Sequence, residues 1–91
     1  MVEIKFLARF RDITGERSLN IEYTGKITDL MDILTKKYGN EFKDALFDKD
    51  GNIRDYMKIL VNGEDAGASG GLEAEIGDGD EVVIFQTIAG G

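Results

Sequence analysis

Ile27-Thr28-Asp29-Leu30-Met31-Asp32-Ile33-Leu34-Thr35-Lys36-Lys37-Tyr38 is the stretch on which the fold turns. Ile27, Leu30, Met31, Leu34 and Tyr38 recur at the three- and four-residue spacing of a single helical face, which predicts the main helix. Gly39-Asn40 then offers a positive-φ stop. A helix with one apolar face needs a second layer to cover it, and the sequence on either side supplies strands.

Upstream, Val2, Ile4, Phe6, Ala8 and Phe10 alternate with Glu3, Lys5, Leu7, Arg9 and Arg11, the period of a strand with one buried face. Asp12-Ile13-Thr14-Gly15-Glu16 has turn chemistry, and Leu19, Ile21 and Tyr23 resume the alternation. An N-terminal hairpin with a loop longer than two residues is expected. Downstream, Phe42, Ala45, Leu46 and Phe47 suggest a short second helix, closed by a tight turn at Asp48-Lys49-Asp50-Gly51-Asn52.

Met57, Ile59 and Val61 alternate with Lys58, Leu60 and Asn62, a third strand ended by Asn62-Gly63. Gly63 to Gly71 reads as a glycine-rich loop, from which Leu72 and Ile76 return to the core. After the turn Gly77-Asp78-Gly79-Asp80, Val82 to Phe85 form the last strand. Two strands, a helix and further strands predict an α+β roll, a mixed sheet wrapped over one main helix. The expected organisation is a domain over residues 1–85 and a flexible tail over 86–91; if the last strand lies beside the first, its end is held rigid while the tail projects free.

The 91 residues bound the chain to one small domain, without room for an enclosed active site and its lid. There is no cysteine and no histidine, which excludes disulfides, thiolate metal sites and the usual general base near neutral pH. Catalysis by the chain alone is not expected. A net charge of -7 disfavours nucleic acid and anionic membranes as partners. No run approaches the ~20 apolar residues of a membrane span, so a soluble, cytoplasmic protein is the default expectation.

Gly90 and Gly91 close the sequence. Without Cβ atoms, such a pair passes through a narrow slot in another protein's active site and leaves the terminal carboxylate as the reactive group. Any sulfur chemistry would have to use that carboxylate. Two other motifs carry less. Asp48-Lys49-Asp50-Gly51 lacks the remaining oxygen ligands and the closing glutamate of a calcium loop, so no metal site is expected. Gly67-Ala68-Ser69-Gly70-Gly71 lacks the Gly-Lys-Ser/Thr of a phosphate cradle and reads as a connector.

Leu7, Leu60 and Phe85, with Val83, are apolar residues on the wrong faces of their strands. Three neighbouring strands would gather them into an exposed patch ringed by charge, the mark of an interface.

Taken in order, Val2-Glu3-Ile4-Lys5-Phe6-Leu7-Ala8-Arg9-Phe10-Arg11, Ile27-Thr28-Asp29-Leu30, Val61-Asn62-Gly63-Glu64, Gly77-Asp78-Gly79-Asp80-Glu81-Val82 and Ala89-Gly90-Gly91 resemble the MoaD/ThiS ubiquitin-like sulfur carriers over nearly the whole chain. The resemblance implies a β-grasp fold and a non-catalytic carrier. Its Gly91 carboxylate would be adenylated by a ubiquitin-activating-type (MoeB-like) partner and then converted to a thiocarboxylate, with Ile88, Ala89 and Gly90 entering the partner's site as the tail. ATP and magnesium would belong to that partner, and no cofactor to this chain.

In MoaD-like proteins the sulfur acceptor is the large subunit of molybdopterin synthase (MoaE-like), which builds the dithiolene of the molybdenum or tungsten cofactor. Leu7, Leu60 and Phe85 fall where such proteins place their docking patch. Gln86-Thr87 stands where many MoaD tails carry Pro-Pro, and Phe85 to Gly91 looks more like ThiS, which feeds sulfur to the thiazole of thiamine. Two further readings remain open: a modifier joined through Gly91 to lysines of other proteins, and a binding module that uses the patch alone.

Overall fold

The structure is a computed structural model that describes residues 1–66 and 71–87. Gly67 to Gly70 and Ile88 to Gly91 lie outside the described residues, so the connector and the tail residues Ile88, Ala89, Gly90 and Gly91 receive no structural account.

In chain order the elements are β1 (Val2–Phe6), α1 (Arg9–Thr14), β2 (Ser18–Ile21), β3 (Gly25–Lys26), α2 (Ile27–Tyr38), α3 (Asn40–Leu46), β4 (Met57–Val61), β5 (Glu64–Asp65), a 3-10 turn (Gly71–Glu73), β6 (Glu75–Ile76) and β7 (Glu81–Gln86). Five strands form one sheet in the order β2-β1-β7-β4-β5, and β3 pairs with β6 in a separate two-stranded ladder. β7 runs parallel to β1 and antiparallel to β4. The last strand therefore sits beside the first, at the centre of the sheet.

α2 follows its apolar pattern: Ile27, Leu30, Met31 and Leu34 are buried. Asp29 in its first turn and Lys36 and Lys37 in its last complement the helix dipole. Gly39, at φ 88°, ends it by donating its N–H to the Thr35 carbonyl at 2.7 Å. The covered face packs on Val2, Ile4, Phe6, Met57, Ile59, Val82 and Ile84, the inward residues of the three central strands. At one end the rings of Phe6, Phe10, Tyr38 and Phe42 meet at centroid distances of 5.6 to 6.2 Å. Burial, and then the Glu16 carboxylate that accepts its hydroxyl, push the Tyr38 phenol up.

The first strand is shorter than its alternation predicts. It stops at Phe6; Ala8 turns the chain with φ 51°, and Arg9 to Thr14 form α1. Phe10 is fully buried and Ile13 packs against the core one helical turn later, so the apolar residue that extends the strand pattern also fits a helix facing the same core. Gly15, at φ 74°, closes α1 by donating its N–H to the Arg11 carbonyl at 2.8 Å. Nothing lies within 4 Å of a Cβ added there. Gly15→Ala is therefore expected to destabilise by about 1 kcal/mol through the backbone alone, read from the midpoint of denaturant unfolding; an unchanged midpoint would contradict the left-handed stop.

Other departures are smaller. Tyr23 lies outside β2, and its hydroxyl donates to the Lys26 carbonyl. The start of the glycine-rich segment is a strand: Asn62 (φ 52°) and Gly63 (φ 86°) turn β4 back so that Leu60 and Val61 pair with Asp65 and Glu64. Two consecutive positive-φ residues are the twist-matched hairpin turn that Asn-Gly favours. Ile76 is buried and Leu72 packs against the core, as expected. β7 extends one residue past the 82–85 reading at its C-terminal end, to Gln86, which pairs with Met57.

Candidate functional site

Strand order assembles the surface that alternation only suggests. Lys5 stands opposite Val83, Val83 opposite Leu60, and Leu60 opposite Asp65, with Ser18 beyond Lys5, so one row crosses all five strands on the face away from α2. One step toward the C-terminal end of β7, Phe85 stands opposite Lys58. Leu7 follows β1 at the same level, and its N–H donates to the Ile84 carbonyl at 3.2 Å. Leu7, Leu60 and Phe85 are thus brought to one face, with Val83 among them. Leu7 is exposed, and the other three are half-buried.

Ion pairs flank the strip. Lys5 meets Glu81 at 3.0 Å and Lys58 meets Asp65 at 3.1 Å, all four side chains remaining accessible to solvent. The hydrogen bond from Lys5 to Glu81, reinforced by that carboxylate's charge, raises the Lys5 ammonium above its ordinary value. Exposed pairs of this kind contribute little stability; on this surface they set a polar border around an apolar centre, the anatomy of a docking face.

At the opposite end of β7, Asn62 and Asp80 tie two turns together. Asn62 donates from Nδ2 to Asp80 Oδ1 at 3.0 Å and accepts the Glu81 N–H at 2.9 Å, while Gly77 donates its N–H to Asp80 Oδ2 at 2.8 Å. The Gly77 N–H, and then Asn62, hold the Asp80 carboxyl below the usual range. This network fixes the start of the central strand.

One surface residue escaped the sequence reading. Tyr56 is 38% exposed, and its carbonyl accepts both the N–H of Thr87 at 2.8 Å and the Thr87 hydroxyl at 3.1 Å. Gln86 pairs with Met57 of β4, and Thr87 is held one residue beyond it to Tyr56. Tyr56, Lys58 and Leu60 continue one alternation, a signal that was present in the sequence. The hydrogen bonds were not, because a backbone carbonyl accepts from any residue placed beside it.

Neither described cavity, of about 270 and 220 Å³, is lined by Leu7, Leu60, Val83 or Phe85. Among the described residues no group of three or more Asp or Glu side chains is placed to hold a metal ion. Among the described residues, Leu7, Leu60, Val83 and Phe85 form a surface strip rather than a cleft.

A five-stranded mixed sheet with its first and last strands parallel at the centre, and one main helix across its inner face, defines a ubiquitin-like β-grasp protein. Residues 4–91 match the ThiS family, and the chain belongs to that family of ubiquitin-like sulfur carriers and modifiers. Small archaeal modifier protein 3 of Haloferax volcanii is 27% identical over 92 residues, 99% of this chain and 98% of its own length. A chain in the crystal structure of the Amycolatopsis orientalis BexX/CysO complex superposes with a TM-score of 0.81 at 29% identity, with all of both chains covered. A putative molybdopterin converting factor, subunit 1, from Pyrococcus furiosus is similar at 28% identity and TM-score 0.69, covering 96% of this chain and 97% of its own.

Proposed function

We propose that the protein is a sulfur carrier whose Gly91 carboxylate is activated by a partner enzyme, and that the acceptor of its sulfur is the large subunit of a molybdopterin synthase. The observation that carries the reading is the position of β7: the strand leading to Gly90 and Gly91 is the central one of the sheet and carries Phe85 on its outer face, with Leu7 and Leu60 on the neighbouring segments. A partner that docks on this strip receives the chain end beside it.

In the activation step a Gly91 carboxylate oxygen attacks the α-phosphorus of ATP. A P–O bond forms, the bond to the β-phosphate breaks, and pyrophosphate leaves. As the family resemblance implies, magnesium and the side chains that stabilise this charge would belong to an adenylating partner of the ubiquitin-activating type (MoeB-like), in agreement with the lack of histidine and cysteine in this chain. A persulfide sulfur then attacks the acyl carbon and AMP leaves. A thiol breaks the S–S bond, releasing the thiocarboxylate and carrying the donor away as a disulfide. Throughout, this chain docks and presents; it is not an enzyme.

Likeness to the putative molybdopterin converting factor subunit supports the acceptor. Thiocarboxylated protein, mixed with such a large subunit and its pterin precursor, is expected to yield the dithiolene. No transfer to a large subunit that is active with its own small subunit would overturn the assignment of the acceptor.

The full-length likeness to a small archaeal modifier favours a second use of the same adenylate. A lysine amine attacks the acyl carbon, an isopeptide bond forms, and AMP leaves. High-mass ladders in cell extract that vanish without Gly91 would establish conjugation, and a dedicated carrier would lack them.

A further inference from the structure

Past Ile84, β7 loses one of its two neighbours. The β1–β7 ladder ends at Phe6 and Ile84, and after Leu7 the chain turns at Ala8 into α1. On the other side, pairing with β4 runs to Met57 and Gln86, and Tyr56 adds one further rung. That rung is doubled: a single carbonyl oxygen accepts both the N–H and the hydroxyl of Thr87, at 2.8 and 3.1 Å. It uses both lone pairs of that oxygen and is the last described point at which the chain is held to the sheet.

We infer that Thr87 is a positioning residue, which through the Tyr56 carbonyl fixes where and in what direction the reactive end leaves the body. This inference rests on the reading that Gly91 is the group activated. From Ile88 to Gly91 the chain has a reach of at most about 14 Å at ~3.5 Å per residue. Releasing Thr87 adds a residue to that span and leaves its backbone to be ordered again each time the protein docks. Because the ordering is needed equally before and during the chemical step, its loss appears in KM and not in kcat. A hydroxyl at residue 87 serves this role, and a methyl of the same shape does not.

Thr87→Val removes the hydroxyl while keeping the N–H and the branched shape; Thr87→Ser restores the donor. In ATP–pyrophosphate exchange by the adenylating enzyme, Thr87→Val is expected to raise the KM for this protein about fivefold, the worth of one exposed hydrogen bond, with kcat within about twofold. Thr87→Ser should return KM toward the unsubstituted value. In the free protein, exchange of the residue 87 amide should quicken about fivefold in Thr87→Val, a change that direct contact of the hydroxyl with the partner would not produce. Exchange by the unsubstituted protein with an unaltered KM or unaltered amide protection in Thr87→Val would overturn the inference alone. No pyrophosphate exchange with the unsubstituted protein would overturn the functional reading and the inference together.

Discussion

Deleting Gly91 is expected to abolish thiocarboxylate formation while leaving unfolding unchanged. Removal of one residue withdraws the carboxylate by about 3.5 Å, whereas a misplacement of ~1 Å at reacting atoms already costs about a hundredfold in rate. The loss should therefore exceed a hundredfold. Adding a residue after Gly91 should do the same, because the carbonyl then belongs to an amide. Neither change touches the sheet, whose last described hydrogen bonds are those of Gln86 and Thr87. Pyrophosphate exchange with both variants, beside thermal unfolding, makes the comparison; activity retained by a folded, shortened protein would remove Gly91 from the chemistry.

The second large effect is expected at Phe85. Its register partner is Lys58, so Phe85→Asp places a carboxylate opposite an ammonium in the free protein, and thermal unfolding checks that the variant keeps its fold. At a docked interface the same carboxylate is desolvated where an aromatic anchor had packed. Loss of a central anchor weakens binding by roughly 2 kcal/mol or more, or about thirtyfold in Kd. Titration calorimetry against the adenylating enzyme reads it directly, with Phe85→Ala as the milder variant. A change below about fivefold would place Phe85 at the rim. Binding that fails for Phe85→Asp but survives removal of the tail would separate docking from chemistry.

Much of this arrangement was legible in the sequence because burial leaves a period. α2 declared itself through Ile27, Leu30, Met31 and Leu34, and Leu7, Leu60 and Phe85 stood out as apolar residues on polar faces. α1 did not, because Phe10 satisfies the two-residue period of β1 and the helix that replaces its second half. β5 was hidden in a segment whose glycines signal a loop, although Asn62-Gly63 is itself a hairpin turn. The doubled hold of Thr87 on Tyr56 depends on β7 lying beside β4, and long-range register is not written into either strand alone. Nor is the centrality of β7, which follows from pairing with β1 on one side and β4 on the other.

Intact mass of the protein after incubation with ATP, a competent adenylating enzyme and a sulfide source, beside a Gly91-deleted control, tests the central claim most directly. A gain equal to the difference between one sulfur and one oxygen atom, absent from the control, is the predicted result. An unchanged mass with an enzyme that thiocarboxylates its own carrier would contradict it.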